Sequence, residues 1–111
     1  MLEFEEAVMR FIKPESLRSD SIILDVRSEV EYAQERLALP HITIKADKVD
    51  PDQFMAEYNP TGEKVVNILC TSGGVASSVA EKFEEAGYEN VAVVVGGIIE
   101  AEYEGVQVLR N

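Results

Sequence analysis

The chain contains a single cysteine, Cys70, whose thiol is the side chain of this sequence best suited to nucleophilic chemistry. It stands at a junction, because the apolar run VVNIL (65–69) precedes it and the small residues TSGG (71–74) follow it. Two interpretations fit a cysteine in this position. It is either a small hydrophobic residue that fills a core, or a nucleophile that is held in a loop.

The residues after Cys70 have the composition of an anion-binding loop. Glycine allows positive φ, which lets successive backbone N–H groups turn inward, so at least one of Gly73 and Gly74 is expected to have a positive φ. The N-terminus of the next helix points at the same place, and both effects favour the nucleophilic thiolate. The residues expected to contact a bound anion are Thr71, Ser72, Gly73, Gly74 and Val75. The hydroxyls of Thr71 and Ser72 either donate to that anion or only stabilise the turn.

Runs of apolar, mostly branched residues predict the strands that position this loop. They lie at 21–26 (SIILDV), 65–69 (VVNIL) and 91–95 (VAVVV), with a shorter run at 42–44 (ITI). Such runs are apolar nearly throughout, as in a parallel sheet that is covered on both faces. Ligands bind to open sheets of this kind outside the carboxyl ends of the strands, which is where Cys70 lies.

Apolar residues at helical spacing and capping signals predict the helices. Phe4, Val8, Phe11 and Ile12 predict a first helix that ends before Pro14. Further helices are predicted over 28–37, where Ser28 and Glu31 have capping-box spacing, over 50–58 with Asp50 as the cap, from 76 to Gly87, and around 98–104. The alternation of strands and helices predicts an α/β fold with a central parallel sheet.

Length and charge limit the classes of function. At 111 residues, the chain is most simply one domain spanning residues 1–111. Its net charge of −11 repels nucleic acid and anionic lipid, so we expect neither as a partner. No apolar run approaches the roughly 18–20 residues that cross a bilayer, and the acidic start is unlike a signal peptide. One cysteine fits a reducing compartment, so a cytoplasmic location is expected.

Two stretches carry a resemblance to a known family. The first is ILDVRSEVEYAQERL (23–37), and the second, VVNILCTSGGVASSVAEKFEEAGYENVAVVVGGI (65–98), contains a Cys-x-x-Gly loop and ends in a Gly-Gly pair. Both are similar to motifs of rhodanese-like (sulfurtransferase) domains, in the order of a single-domain member. The resemblance implies about five parallel strands with helices on both faces. It also implies that Cys70 accepts sulfane sulfur as a persulfide and passes it to a nucleophile.

The active-site loop diverges from the pattern of this family. Members that handle thiosulfate commonly carry arginine at the sixth loop position, where this chain has Val75. The stretch ERLALPHI (35–42) replaces a Gly-His-Ile-Pro-Gly-Ala stretch, and Ala101 replaces a tryptophan. Valine cannot form the bidentate contact that arginine makes with sulfonate oxygens. The expected donor is therefore a persulfide or polysulfide rather than thiosulfate.

A second strand end carries two charged residues, Asp25 and Arg27. Asp25 is interpreted as a brace of its loop, close enough to influence Cys70, and Arg27 as the partner of Glu31. A direct role of either residue in the chemistry is the alternative. His41 is interpreted as a surface residue. One cysteine and one histidine do not make a zinc site, so neither a metal nor another cofactor is expected.

The sequence is compatible with two functions. In the first, Cys70 takes sulfane sulfur from a donor and passes it to a thiol acceptor, either of which can be a protein, while the amides of residues 71–75 stabilise the product anion. In the second, the chain is a non-catalytic rhodanese-like module that binds a partner or senses the redox state. The retained cysteine favours the first function, and the missing arginine favours the second.

Overall fold

The computed structural model of the chain describes residues 10–72 and 74–110. Five parallel strands form the central sheet: β1 (Arg10–Ile12), β2 (Ile22–Asp25), β4 (Ile42–Thr43), β5 (Val66–Leu69) and β6 (Val91–Val94). Their order across the sheet is β1-β6-β5-β2-β4. The predicted α/β fold with a central parallel sheet of five strands is therefore confirmed.

Helices connect the strands and cover the sheet. They are α1 (Glu29–Gln34), α2 (Pro51–Tyr58), α3 (Gly74–Glu85) and α4 (Gly97–Tyr103), with short 3-10 helices at Pro14–Ser16 and Ala46–Lys48. The caps predicted for two of these helices are present. Ser28 forms a reciprocal capping box with Glu31 at the start of α1, and the Asp50 side chain accepts a hydrogen bond from the Gln53 N–H at the start of α2. Within the described part of the chain, no helix has the length and apolar character of a membrane span.

Buried residues form two apolar clusters, and neighbouring strand residues contribute to different clusters. Leu24 of β2 packs in the cluster that contains Phe54 of α2 and Phe83 of α3, whereas Ile23 packs in the cluster that contains Ile98 of α4. Successive side chains of a strand point to opposite faces of the sheet. The alternation between the two clusters shows that both faces are covered, as expected of a parallel sheet.

The predicted helix over 28–37 is too long. The helix ends at Gln34, and Glu35–Leu37 form strand β3, which pairs antiparallel with strand β7 (Val108–Arg110). Pairing lets Leu37 become buried in the second cluster, and Glu35 forms a salt bridge with Arg110 at 3.2 Å. A helix of about ten residues is marginal by itself, so this distant pairing decides the conformation of residues 35–37.

The predicted first helix is also wrong over the residues that the structure describes. Phe11 and Ile12 lie in β1, an edge strand whose register pairs them with Val93 and Val94 of β6. Phe11 is exposed while Ile12 packs against the second cluster, which is the alternation of a strand rather than one helical face. The remainder of that prediction, including Phe4 and Val8, lies outside the described residues.

Candidate functional site

Cys70 lies directly after β5, at the carboxyl ends of the parallel strands and before α3. It borders an open cleft of about 510 Å³ between the loop that follows it, the start of α1 and the 3-10 helix at Ala46–Lys48. The residue is only 3% exposed and belongs to the first apolar cluster as well as to the cleft lining. Cys70 thus combines the two environments that the sequence offered as alternatives, because it is packed on one side and borders the cleft on the other.

The start of α3 supplies a hydrogen-bond donor to the sulfur. The backbone N–H of Ala76, the third residue of α3, donates to Cys70 Sγ at 3.3 Å. The first N–H groups of a helix have no partner within the helix, so they are available to an acceptor at its N-terminus. The donor described here lies one residue beyond the predicted range of 71–75. Gly74 begins the helix without a left-handed φ, and the prediction for Gly73 lies outside the described residues.

The start of α4 holds the main chain of the Cys70 loop. The N–H groups of Ile98 and Ile99 donate to the carbonyl oxygens of Cys70 and Thr71 at 2.8 and 3.2 Å. Gly97 has a φ of +62°, and a Cβ there would lie 2.2 Å from the Cys70 oxygen. Only glycine permits this approach and this φ at low cost. The Gly-Gly pair is visible in the sequence, but its contact with the cysteine loop is not.

Glu31 is a cleft residue that the sequence predicted only as a helix-capping residue and as the partner of Arg27. Its Oε2 accepts a hydrogen bond from the Thr71 hydroxyl at 2.7 Å, and its Oε1 accepts from the N–H and hydroxyl of Ser28 at 3.1 and 3.0 Å. The bond from Thr71 is the main cause that lowers the pKa of Glu31, and the Ser28 N–H and the nearby Arg27 charge act in the same direction. A negative charge is therefore held beside the cysteine loop.

Arg27 and Asp25 form a buried ion pair, and this corrects the predicted pairing of Arg27 with Glu31. Arg27 Nη2 lies 3.0 Å from Asp25 Oδ2, and the two side chains are 2% and 0% exposed. Arg27 contacts Glu31 only through its main-chain oxygen, at 3.3 Å, and donates to the Glu35 oxygen at 2.8 Å. A buried carboxylate requires a charged partner, so Asp25 takes the guanidinium, while the exposed Glu31 is solvated.

Asp25 acts within its own loop, as predicted from its position. Its Oδ1 accepts a hydrogen bond from the Arg27 N–H at 3.0 Å. Arg27 lines the cleft but Asp25 does not. Because Arg27 also binds main-chain oxygens of α1 and of the residue that ends it, the pair holds the helix that carries Glu31.

The rest of the cleft rim is formed by exposed side chains. Ser72 and Val75 lie on the side of the cysteine loop, and Val75 is 50% exposed. Lys45 and Asp47, at the 3-10 helix, also line the cleft and have opposite charges. No group of three or more metal-binding side chains is found among residues 10–72 and 74–110.

The comparison of this sequence with protein families decides its membership. The family model of the rhodanese-like domain matches residues 13–102. The chain belongs to the rhodanese-like domain family. The predicted family is confirmed, and membership supports a sulfurtransferase-type function in the broad sense. No curated protein matches the chain significantly.

Solved structures with the same fold agree with this assignment. A protein of Staphylococcus saprophyticus is 27% identical with a TM-score of 0.69, and the match covers 89% of this rhodanese-like domain and 99% of that chain. The rhodanese-like domain of an Anabaena protein is 15% identical with a TM-score of 0.75, over 94% of this chain and 81% of that one. The thiosulfate sulfurtransferase of Pseudomonas aeruginosa is 20% identical with a TM-score of 0.77, over 93% of this chain and 20% of that enzyme.

The single histidine of this rhodanese-like domain lies away from the cleft lining. His41 is half-buried rather than a surface residue, which corrects the prediction. Its Nδ1 lies 2.8 Å from the Leu39 oxygen and its Nε2 lies 2.8 Å from the Tyr32 hydroxyl. Because a carbonyl oxygen only accepts, His41 Nδ1 donates this hydrogen bond, and Nε2 is paired with the Tyr32 hydroxyl. His41 therefore stabilises the segment between β3 and β4.

Proposed function

We propose that this rhodanese-like domain transfers sulfane sulfur through a persulfide on Cys70, and that the donor is a persulfide or polysulfide rather than thiosulfate. The observation that carries the proposal is the Ala76 N–H at 3.3 Å from Cys70 Sγ, at the border of an open cleft. A helix N–H directed at sulfur is also a hydrogen-bond donor for a persulfide in its place.

The proposed reaction needs no added oxidant or reductant. The Cys70 thiolate attacks the terminal sulfur of a donor R–S–SH, a new S–S bond forms on Cys70, and R–S⁻ leaves as the donor S–S bond breaks. An acceptor thiolate then attacks the outer sulfur of the Cys70 persulfide and returns the Cys70 thiolate. Donor and acceptor can be small thiols or proteins. A cysteine that must stay reduced between turnovers suits a cytoplasmic setting.

The preference against thiosulfate rests on the charges at the cleft. Val75 lines the cleft at the loop position where an arginine would bind sulfonate oxygens. The carboxylate of Glu31 accepts a hydrogen bond from Thr71, the residue next to Cys70. A dianionic donor is repelled by this carboxylate and gains no bidentate contact in return.

The experiment is intact-mass spectrometry of the reduced protein before and after exposure to polysulfide, thiosulfate or a cysteine-desulfurase system. The expected result is one added sulfur atom with polysulfide or the desulfurase, reversed by a thiol, and little addition with thiosulfate. The Cys70→Ser variant is the matched control, because it removes the only thiol of the chain. A wild-type protein that gains no sulfur from any donor contradicts sulfur transfer.

A second candidate function is a non-catalytic module that binds a partner or senses the redox state. The observation that favours it is the low exposure of Cys70, at 3%. A buried thiol in apolar surroundings is commonly inert. The same mass experiment separates the two candidates, because an inert thiol gains no sulfur while the protein remains folded.

A further inference from the structure

Glu31 has a fixed position at the cleft, which distinguishes it from Asp47, the other acidic residue of the described lining. Its two carboxylate oxygens accept three hydrogen bonds, from Thr71 and from two groups of Ser28. Ser28 is the N-cap of α1, so the carboxylate is tied both to the helix end and to the cysteine loop. A charge that is held by several hydrogen bonds keeps its direction and its distance from the cysteine loop.

The remaining charges of the cleft do not cancel that of Glu31. The guanidinium of Arg27 is paired with the buried Asp25. Lys45 and Asp47 also line the cleft and are exposed and opposite in sign, so their fields oppose each other and are screened by solvent. The fixed and uncompensated charge beside the cysteine loop is therefore negative.

We propose that Glu31 is a specificity-determining residue that makes the cleft select thiols and persulfides carrying a positive charge close to their sulfur. This inference rests on the proposed function and names the chemical class of its donor or acceptor. Small aminothiols share this chemistry with protein cysteines that are flanked by lysine or arginine. Anionic carriers are disfavoured because their charge must approach the Glu31 carboxylate.

The first experiment measures charge selection without requiring sulfur transfer. Two methanethiosulfonate reagents of similar size, one with a trimethylammonium group and one with a sulfonate, modify Cys70 in the full chain. The thiolate displaces methanesulfinate and forms a mixed disulfide, so the rate follows from intact mass. Each rate is divided by the rate of the same reagent with mercaptoethanol, which removes its intrinsic reactivity.

The expected result is a normalised rate ratio of cationic to anionic reagent of about tenfold or more in the wild type, decreasing as salt increases. In Glu31→Gln the ratio is expected to fall several-fold. Glutamine serves in a capping box and accepts a hydrogen bond from Thr71, so the helix start is retained. The matched control is Glu29→Gln, because Glu29 is exposed on the same helix but does not line the cleft.

The second experiment replaces the reagents with persulfides of cysteamine, mercaptopropionate and a short end-capped peptide in which one lysine stands beside the cysteine, so that the peptide has the same charge as cysteamine. Sulfur loading of Cys70 is expected to be faster from the two cationic persulfides than from the anionic one, with the difference reduced in Glu31→Gln. Faster loading by the peptide than by cysteamine identifies a protein carrier, and the reverse order identifies a small aminothiol.

The outcomes separate this inference from the proposed function. Equal normalised reagent rates, or a ratio that Glu31→Gln leaves unchanged, overturn the role of Glu31 even if Cys70 is loaded with sulfur. Charge selection by the reagents with no loading from any persulfide supports the role of Glu31 and overturns sulfur transfer instead. A ratio that falls equally in Glu29→Gln shows a general effect of net charge and also overturns the specific role.

Discussion

The Cys70 loop is held differently on its two sides. On the side of α4, main-chain groups make the contacts: two N–H groups bind the carbonyl oxygens of Cys70 and Thr71, and Gly97 allows the backbones to approach closely. On the side of α1, side chains make the contacts, through the Thr71–Glu31 hydrogen bond at the cleft. The close-packed main-chain contacts fix the position of the loop. The side-chain contacts depend on which residues stand there, and they determine the charge at the cleft.

The position of the Cys70 sulfur and the substrate selectivity of the cleft are therefore expected to depend on different residues. Residues that fix the sulfur are expected to affect folding when they are changed, because their contacts are buried and close-packed. Exposed residues at the cleft are expected to affect the choice of substrate with little effect on folding. Arg27 lines the cleft but is buried, so it belongs with the residues that affect folding. Four substitutions test this division.

The largest expected effect comes from Arg27→Met, which leaves the Asp25 carboxylate buried without its charged partner. Breaking a buried ion pair by removing one residue costs about 3–5 kcal/mol, and this change also frees the main-chain oxygens of Glu31 and Glu35 that Arg27 binds. Denaturant unfolding measures the loss. The control is Arg18→Met at an exposed arginine, with an expected change within about 0.5 kcal/mol. Equal losses in the two variants would show that the pair does not stabilise the α1 side.

The next effect is that of Gly97→Ala on the α4 side. A methyl group there overlaps the Cys70 carbonyl and must also adopt a left-handed φ. The control is Gly62→Ala, where φ is +72° and a Cβ meets nothing within 4 Å. Both variants lose about 1–2 kcal/mol from φ alone, and Gly97→Ala is expected to lose about 1–3 kcal/mol more from the overlap.

Unfolding free energies and Cys70 alkylation rates measure the Gly97 comparison. Alkylation of the folded protein should change in Gly97→Ala, because the carbonyl that moves belongs to the cysteine itself, and should stay constant in Gly62→Ala. If Gly97→Ala and Gly62→Ala had similar unfolding free energies and alkylation rates, α4 and the loop could move apart at little cost. This result would contradict the view that the α4 side fixes the position of the sulfur.

A smaller effect, confined to substrate choice, is expected from Val75→Arg. The wild type should turn over thiosulfate weakly, and the new guanidinium should lower the KM for thiosulfate about ten- to a hundredfold, since a charge-assisted hydrogen bond contributes about 1.5–3 kcal/mol. Val75→Lys is the control, because lysine adds the charge without the bidentate geometry and should give a smaller gain. Efficient thiosulfate turnover by the wild type would refute the argument that the loop lacks an anion clamp.

The smallest effect is expected from Thr71→Val, which removes the hydroxyl that binds Glu31. At neutral pH the loss of stability should be below about 1 kcal/mol, because the contact is exposed. The Thr71 hydrogen bond lowers the pKa of Glu31 below its ordinary value of 4.5, so the folded state favours the carboxylate. This stabilisation is present above pH 4.5 and is lost as the pH falls through the lower folded-state pKa.

The unfolding free energies of the wild type and Thr71→Val should therefore differ at neutral pH and converge in acid. The control makes the same Thr71→Val substitution in a Glu31→Gln background. Because this background lacks the titrating carboxylate, the effect of Thr71→Val on the unfolding free energy should there be independent of pH. A difference between wild type and Thr71→Val that grows as the pH falls would contradict the assigned direction of the Glu31 pKa.

Much of the fold could be predicted because its signals are local. The capping box at Ser28 and the cap at Asp50 act within one helical turn, and the structure contains both. Each apolar run that predicts a strand is visible within its own segment of the sequence. The misassigned segments, at 11–12 and 35–37, are short and become strands by pairing with β6 and β7, which are distant in sequence.

The site was predicted less completely than the fold. Cys70, its position after a strand and the helix aimed at it follow from neighbouring residues. The ionic partner of Arg27, the approach of Gly97 to Cys70 and the bond between Glu31 and Thr71 depend on burial and on long-range packing. None of these has a signature within a short window of sequence.

The sequence by itself determined the family, the alternation of strands and helices, and the single thiol at a strand end. These features depend on the spacing of apolar residues and on helix capping, which involve only a few neighbouring residues. Only the tertiary structure decided what surrounds that thiol. Burial assigned the guanidinium of Arg27 to Asp25 and left Glu31 at the cleft, since a charge out of water must be paired and an exposed one need not be. The sign of the charge next to Cys70 is therefore a property of the folded chain.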